Sequence, residues 1–440
     1  MKILKFGGTS VGSADRMKSV ATLIKKNTEP VIVVLSAMSG TTNNLVELAT
    51  NLYAKNHAKA NEVISILENK YKQEIKNLYK TETVLQKAEN LITYHFDYLR
   101  SFTLDMFTVN EEKAILAQGE LLSTAMFQFY LEEVGEKSIL LPALNFMRID
   151  DNEEPDLTYI EKHLKQELEK NKGYNFYITQ GFICRNIFGE IDNLKRGGSD
   201  YTASLIGGAA LQASEIQIWT DIDGMHNNDP RVVNKTHPIE QLSFDEAAEL
   251  AYFGAKILHP TCILPAQKRN VPVKLLNTMQ PDAKGTIITK DAAGTGIKAV
   301  AAKDGITSVS IKSGRMLLAY GFLRSVFEVF ERHKTPIDMI TTSEVAVSLT
   351  IDTDKHLKDI VEELEKFGQV SIDKDQTIIC IVGNVSFDKI GYAQKVFNAL
   401  SEIPVRMISY GGSEYNISVL VKSEYKKQAL QALNTGLFNY

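Results

Sequence analysis

A mainly parallel α/β domain followed by two smaller α+β units is the fold class that the sequence predicts, and three observations predict it. A short strand candidate, Met1 to Phe6, precedes apolar residues at helical spacing (Val20, Leu23, Ile24) and then the continuous run Pro30-Val-Ile-Val-Val-Leu35. That strand–helix–strand order gives parallel strands joined by a right-handed crossover. Near Gly294-Thr-Gly296 the character changes, and an internal repeat follows.

The elements follow in order. The run Val31 to Leu35 is apolar and β-branched between turn residues, as suits a strand buried on both faces. From about Ala58 to Arg100 the chain is rich in Leu, Glu, Lys and Ala and lacks Pro and Gly, which predicts a helical insertion. Further strands are expected at Ser138–Leu141, Tyr177–Ile183, Ile216–Thr220 and Val271–Leu276, and helices at Glu111–Glu132, Thr158–Glu169, Tyr201–Leu211 and Ser243–Ala251. In the repeat, Met339-Ile-Thr-Thr-Ser-Glu-Val-Ala-Val-Ser-Leu-Thr-Ile351 resembles the segment from Met407 to Val421. Val345, Val347, Leu349 and Ile351 alternate as one face of a strand, and so do Tyr415, Ile417, Val419 and Val421. Each copy reads strand, helix, strand, strand, helix, including a helix over Gly321–His333 in the first. The second copy stops one strand short of a βαββαβ unit, and 296–303 is spare to complete it. The predicted division is therefore 1–293, 304–375, and 376–440 with strand 296–303.

At 440 residues and 44% hydrophobic, the chain has material for several cores, and its net charge of −5 argues against nucleic acid as a partner. Cys184, Cys262 and Cys380 form no metal-binding cluster and suit a reducing compartment. The longest apolar runs are too short to span a bilayer, and the opening residues lack a signal-peptide core, so a cytoplasmic protein without membrane contact is expected.

Two glycine pairs carry chemistry. Lys5-Phe-Gly7-Gly8-Thr-Ser10 puts a lysine at a strand end before a turn whose N–H groups can approach phosphate oxygens. It is not a Walker A loop, and alone it reads equally as a tight strand-to-helix turn. Lys195-Arg-Gly-Gly-Ser-Asp-Tyr-Thr202 offers the Arg196 fork, suited to a carboxylate or phosphate, while Asp200 and Thr202 could simply cap a helix. Ser36-Ala-Met-Ser-Gly-Thr-Thr-Asn43 and Trp219-Thr-Asp221 also lie at strand ends, where open α/β sheets bind ligands.

Together with Gly119-Glu120, Gln180-Gly-Phe-Ile183, Asp229-Pro-Arg231, Phe253-Gly-Ala-Lys-Ile-Leu-His-Pro260 and Ile340-Thr-Thr-Ser-Glu-Val345, these segments resemble the aspartate kinase family in order and nearly in spacing. The resemblance covers essentially the whole chain and is strongest to the monofunctional, lysine-sensitive branch. It implies an amino-acid kinase fold with a mainly parallel central sheet, followed by two ACT (ferredoxin-like) domains. It also implies ATP-dependent phosphorylation of L-aspartate on its side-chain carboxylate, the first step toward lysine, threonine and methionine.

The implied roles are specific. Lys5 would stabilise charge on the transferred phosphoryl group, with Asp200 orienting it. Thr42, Glu120, Phe182, Arg196 and Ser199 would hold aspartate, Arg196 on the α-carboxylate and Glu120 on the α-ammonium. Gly7, Gly8, Ser10, Thr220, Asp221, His226, Arg231 and Lys256 would hold ATP. Mg²⁺ would bridge its phosphates, with no protein metal ligand assigned. Met316, Ala319, Phe322, Leu323, Ile337, Asp338 and Ser343 match the effector pocket of the lysine-sensitive branch, with lysine preferred over threonine. Paired ACT units imply a homodimer or tetramer. A buried Asp338 needs a cationic partner, and an effector's ammonium would serve. Three positions depart from the family: Lys195 replaces a frequent glycine, His226 a tyrosine and Leu318 a histidine. A kinase acting on glutamate would share the fold but should lack the tandem repeat, and a catalytically dead sensor would be expected to have lost Lys5, Glu120 or Arg196.

Overall fold

The computed structural model describes residues 1–104, 106–194, 197–254, 259–292, 294, 296–314, 320–386 and 388–438. Two compact units emerge, one of 1–225, 240–244 and 258–292, the other of 226–239, 245–257 and 293–440.

In the first unit, β1 (Lys2–Phe6), α1 (Ala14–Ile24) and β2 (Val31–Leu35) form the expected parallel pair, with Lys2 opposite Val31 and Phe6 opposite Leu35. Every residue of β2 is buried, as its unbroken apolar run requires. Then come α2 (Thr41–Tyr53), α3 (His57–Leu78), α4 (Glu82–Ser101), α5 (Val109–Leu116) and α6 (Gln118–Glu133). The helical insertion is thus two helices. Tyr79 is extended between them, its hydroxyl donating to the Met126 carbonyl, and the Lys80 and Thr81 amides donate to Glu133. The single helix expected over Glu111–Glu132 begins earlier, on a Thr108–Glu111 capping box, and is divided at Ala117.

Next are β3 (Ser138–Leu140), α7 (Leu157–Lys170), β4 (Phe176–Gln180), β5 (Ile183–Arg185), β6 (Ile191–Asn193), α8 (Gly198–Ser204) and a π-helical turn over Leu205–Ala210. The strand expected over Tyr177–Ile183 stops at Gln180 because Phe182 adopts φ +66°, which no strand accommodates. β7 (Glu215–Thr220), β8 (Gln241–Ser243), α10 (Pro260–Arg269), β9 (Val273–Asn277) and β10 (Thr286–Thr289) follow, while α9 (Phe244–Tyr252), between β8 and α10 in the chain, belongs to the second unit from Asp245 onward. Among the described residues the sheet order is β3-β4-β2-β1-β7-β9-β10-β8, parallel except at β9–β10. β1 lies between β2 and β7, so the chain departs from it to one side and returns on the other.

The π-helical turn is pressed onto α10: a Cβ on Gly208 would sit 2.5 Å from the Pro265 carbonyl carbon and oxygen. Backbone cannot yield as a side chain can, so Gly208→Ala should cost about 1–3 kcal/mol. A urea midpoint equal to the parent's would show that this contact relaxes freely.

The second unit holds β11 (Gly296–Lys312), α11 (Phe322–Arg332), β12 (Ile340–Thr342), β13 (Ala346–Ile351), α12 (Leu357–Leu364), β14 (Gln369–Asn384), α13 (Tyr392–Ala399), β15 (Met407–Tyr410), β16 (Asn416–Lys422) and α14 (Lys426–Phe438). They build one antiparallel sheet, β12-β13-β11-β14-β16-β15, in which β11 and β14 serve both repeats. The first part of β11, Gly296 to Lys303, pairs with β14 from Asn384 to Ile378, beside β16, where the strand missing from the second repeat would lie. Each repeat has its own core, one around Val309, Phe330 and Ile360, the other around Ile381, Val419 and Leu430. Two stretches within the span expected for the first domain, 226–239 and 245–257, group with this unit. Asn228 donates to the Leu430 carbonyl and Asn434, Asn434 donates to the Lys235 carbonyl, and Val233 joins the second-repeat core. Among the described residues no helix is long and apolar enough to cross a membrane.

Candidate active site

The carboxyl ends of β1, β2, β4 and β7 carry the predicted loops, and short hydrogen bonds tie those loops together. The Gly7 amide donates to the Trp219 carbonyl at 3.1 Å, the Ser36 amide to the Phe6 carbonyl at 3.2 Å, and the Ser39 amide to the Gly8 carbonyl at 3.1 Å. Ser10 is fully buried and its hydroxyl pairs with that of Thr278 at 2.6 Å, while the Thr278 amide donates to the Thr220 carbonyl at 2.8 Å. Ser10 thereby anchors the glycine turn to the end of β9.

Lys5 reaches out of β1 to Asp200 in the first turn of α8, Nζ to Oδ1 2.7 Å, with only 10% and 17% of the two side chains exposed. Nearby, Glu120 of α6 is buried, and its Oε2 has no hydrogen-bond partner among the described residues. Burial pushes its carboxyl up to about 8, against the opposing pull of the Ala37 and Glu120 amides and the Lys5 charge. The Ser36 hydroxyl donates to the Ser199 hydroxyl at 2.9 Å, and the Ser123 hydroxyl to the Ser36 carbonyl at 2.7 Å. Lys5, Asp200, Glu120 and Ser199 are thus drawn around one group of strand ends.

Phe182 is held in its left-handed conformation by its amide, which donates to the Thr202 hydroxyl, and its carbonyl, which accepts from Leu194. A bulky side chain at positive φ costs of order 1–3 kcal/mol and marks positions where geometry matters. Thr42 is exposed on the first turn of α2, whose cap Gly40 offers no side-chain acceptor. Its neighbour Thr41 is buried and bonded to the Tyr71 hydroxyl.

The remaining nucleotide candidates are divided. Thr220 donates to Asp221, whose carboxylate is exposed at the end of β7 in the first unit. His226 and Arg231 belong to the second unit. His226 Nδ1 lies 2.9 Å from the Thr236 hydroxyl, and Arg231 grips Asp229 through Nε and Nη2 at 2.9 and 2.8 Å. Arg196, Lys256, Met316 and Ala319 lie outside the described residues, as do Lys195 and Leu318.

In the second unit, Phe322 and Ile337 pack against the first-repeat core, and Phe322 meets Phe367 edge-on at 6.4 Å. Leu323 is 37% exposed, and Ser343 is exposed in the turn between β12 and β13. Asp338 departs from expectation in its partner. The chain itself supplies the cation: Lys303 Nζ lies 2.8 Å from Oδ1, joined there by the Tyr252 hydroxyl at 2.8 Å. His333, His356 and Asp359 also place donor atoms within 4.8 Å of one another, a grouping that sequence spacing does not reveal.

Sequence reasoning overlooked Thr278, Tyr252 and Lys70, whose ammonium donates to the Ser39 carbonyl in the loop after β2. Lys70 lies in the middle of the helical insertion, where a lysine reads as a solvated face.

A buried lysine–aspartate pair beside a buried carboxyl with an open oxygen suits a zwitterionic acceptor and a transferring anion. Known proteins resemble the chain in sequence and in fold. The amino acid kinase family pattern matches residues 1–277, and an ACT domain pattern matches 379–437. The lysine-sensitive aspartokinase 3 of Escherichia coli K12 is 35% identical over 458 residues, covering 99% of both chains. The chloroplastic aspartokinase 1 of Arabidopsis thaliana is 36% identical, covering 99% of this chain and 80% of the relative. The crystal structure of E. coli aspartokinase III with aspartate and ADP (R-state) superposes with a TM-score of 0.87 at 33% identity over the full length of both. The lysine and aspartate complex of that enzyme (T-state) superposes at 0.80 with 34% identity, over 100% of this chain and 99% of the other.

Proposed function

The chain belongs to the aspartate kinases of the amino acid kinase family, and from that premise we propose which residues carry the reaction. The enzyme transfers the γ-phosphoryl group of ATP to the side-chain carboxylate of L-aspartate, giving 4-phospho-L-aspartate and ADP. The observation that carries the residue assignment is the Lys5–Asp200 pair set beside the open oxygen of Glu120.

An aspartate side chain is already ionised at neutral pH and needs no strong base. One of its oxygens forms the new bond to the γ-phosphorus as the bond to the β–γ bridging oxygen breaks, and that electron pair leaves with ADP. The protein's work is placement and charge neutralisation. Lys5 meets the charge on the transferring group, and Asp200 positions Lys5. Glu120 accepts from the α-ammonium, Arg196 clamps the α-carboxylate, and Thr42, Phe182 and Ser199 bound the acceptor. The Gly7–Gly8 turn, with Ser10 holding it, and Thr220, Asp221, His226, Arg231 and Lys256 hold ATP. The exposed carboxylate of Asp221 and the Thr220 hydroxyl bonded to it are oxygen donors that would suit a hard cation, and Mg²⁺ would supply neutralisation of the nucleotide phosphates.

We divide the chain into a catalytic domain of 1–293, a first ACT domain of 304–375, and a second of 376–440 completed by 296–303. The protein works in the cytoplasm, a placement supported by its three buried free cysteines. It assembles as a homodimer or tetramer through the ACT sheet, whose edge strands leave Ile340, Ile408 and Tyr410 at least 37% exposed. Lysine is the effector, bound about Phe322, Leu323, Ile337, Asp338 and Ser343 together with Met316 and Ala319.

ADP release measured with aspartate or glutamate, each with and without lysine or threonine, tests the reading. Turnover should require aspartate and fall with lysine; turnover with glutamate alone would replace the substrate. Asp338→Ala should shift the lysine inhibition curve to higher concentration by roughly 10- to 150-fold, the equivalent of one hydrogen bond to a charged group. An unchanged curve would remove Asp338 from the effector site.

A further inference from the structure

Asp338 is the most deeply set member of a small charged cluster, its side chain only 1% exposed. Oδ1 takes both available donors, Lys303 Nζ and the Tyr252 hydroxyl, and Oδ2 has none among the described residues. Lys303 also pairs with Asp352 at 2.9 Å and lies 4.6 Å over the Tyr252 ring. Among the described residues the cluster therefore holds two carboxylates against one ammonium, with an open carboxylate oxygen where a second cation would complete neutrality.

Tyr252 gives this cluster a connection. It is the last residue of α9, and α9 is fixed to the sheet along its length. Glu246 pairs with Lys298 of β11 at 2.8 Å, both side chains nearly buried, and Glu249 accepts from Asn416 of β16 at 2.5 Å. Beyond Tyr252, Gly254 adopts φ +123° and presses on β11 so closely that a Cβ would lie 2.2 Å from the Ala302 carbonyl oxygen. Lys256, a proposed ATP ligand, follows two positions after Gly254 in the sequence and lies outside the described residues. Burial together with Asp338 and Asp352 raises the Tyr252 hydroxyl well above the usual tyrosine range, so it remains the donor.

We propose that Tyr252 is a positioning residue that reports the occupancy of Asp338 to the nucleotide-binding segment following α9. The inference rests on the reading that the effector's ammonium docks on Asp338. A cation on Oδ2 divides the carboxylate's charge, weakens its hold on the Tyr252 hydroxyl, and lets the end of α9 shift against Ala302. The effector thus favours one arrangement of Tyr252 over another, which is the differential binding that coupling requires.

The test separates effector affinity from coupling in the full-length enzyme. The lysine Kd is measured by calorimetry, and the KM for ATP with and without saturating lysine, for the parent and for Tyr252→Phe, which keeps the ring and removes only the hydroxyl. The parent should show an ATP KM raised by lysine. By the reciprocity of linkage the variant, whose Asp338 no longer holds the hydroxyl, should bind lysine at least as tightly as the parent, while the lysine-induced rise in KM shrinks by about two- to thirty-fold. A full rise in the variant would overturn the relay while leaving the effector site standing. A lysine Kd weakened in proportion to the lost inhibition would overturn it too, by making Tyr252 part of the pocket. A parent that binds no lysine would overturn both the effector reading and the relay.

Discussion

Lys5→Ala is expected to lower kcat by on the order of 10²–10³, the usual cost of losing one group aimed at charge that develops in a transition state. The Lys5–Asp200 pair complicates the measurement in a useful way. Both side chains are largely buried, so removing the lysine leaves Asp200 without its cation, and breaking such a pair costs roughly 3–5 kcal/mol of stability. The urea midpoint of Lys5→Ala should therefore fall along with its rate. Lys5→Ala combined with Asp200→Asn removes the stranded charge and should recover most of the midpoint while recovering none of the rate. A double variant that regains turnover as it regains stability would show that Lys5 acts only through folding.

Glu120→Gln should lower kcat/KM for aspartate by roughly 10- to 150-fold, the equivalent of one hydrogen bond to a charged partner, and leave the KM for ATP unchanged. The pH dependence follows from the raised carboxyl. In the free enzyme Glu120 titrates at about 8, so near neutrality it is mostly protonated and must ionise to receive the ammonium of aspartate. Aspartate binding near pH 7 should release a proton, and kcat/KM for aspartate should rise with pH until about 8, a limb that Glu120→Gln flattens. The sign for stability is opposite: between the usual 4.5 and about 8 the folded protein keeps a proton the unfolded chain has lost, so the ligand-free enzyme loses stability as pH rises. Calorimetry of aspartate binding in two buffers of different ionisation enthalpy measures the proton. If none is released, Glu120 does not meet the ammonium.

Much of this was legible in the sequence where the signal is local. Val31 to Leu35 announces a fully buried strand because nothing polar interrupts it, and the repeat announces itself through two copies of one alternating strand. The loops at the strand ends could be named because glycine, lysine and hydroxyl residues cluster there. What stayed hidden is pairing across long separations. Nothing near Ser10 points to Thr278, and nothing near Asp338 points to Lys303 or Tyr252, because periodicity shows which face is buried and not what covers it. The end of β4 was misplaced for a related reason: Phe182 reads as a strand residue, and only its bond to Thr202 turns it to positive φ. Likewise nothing within 226–239 points to the bonds by which Asn228 and Asn434 join it to α14.

The most direct test of the central claim is the identity of the product. The protein is incubated with ATP, Mg²⁺ and L-aspartate in the presence of hydroxylamine, which traps acyl phosphates, and the hydroxamate is compared with ADP. The residues assembled here predict aspartyl hydroxamate formed on the side-chain carboxyl, in step with ADP and absent when aspartate is omitted. ADP released without hydroxamate, or hydroxamate formed from glutamate and not from aspartate, would contradict the account.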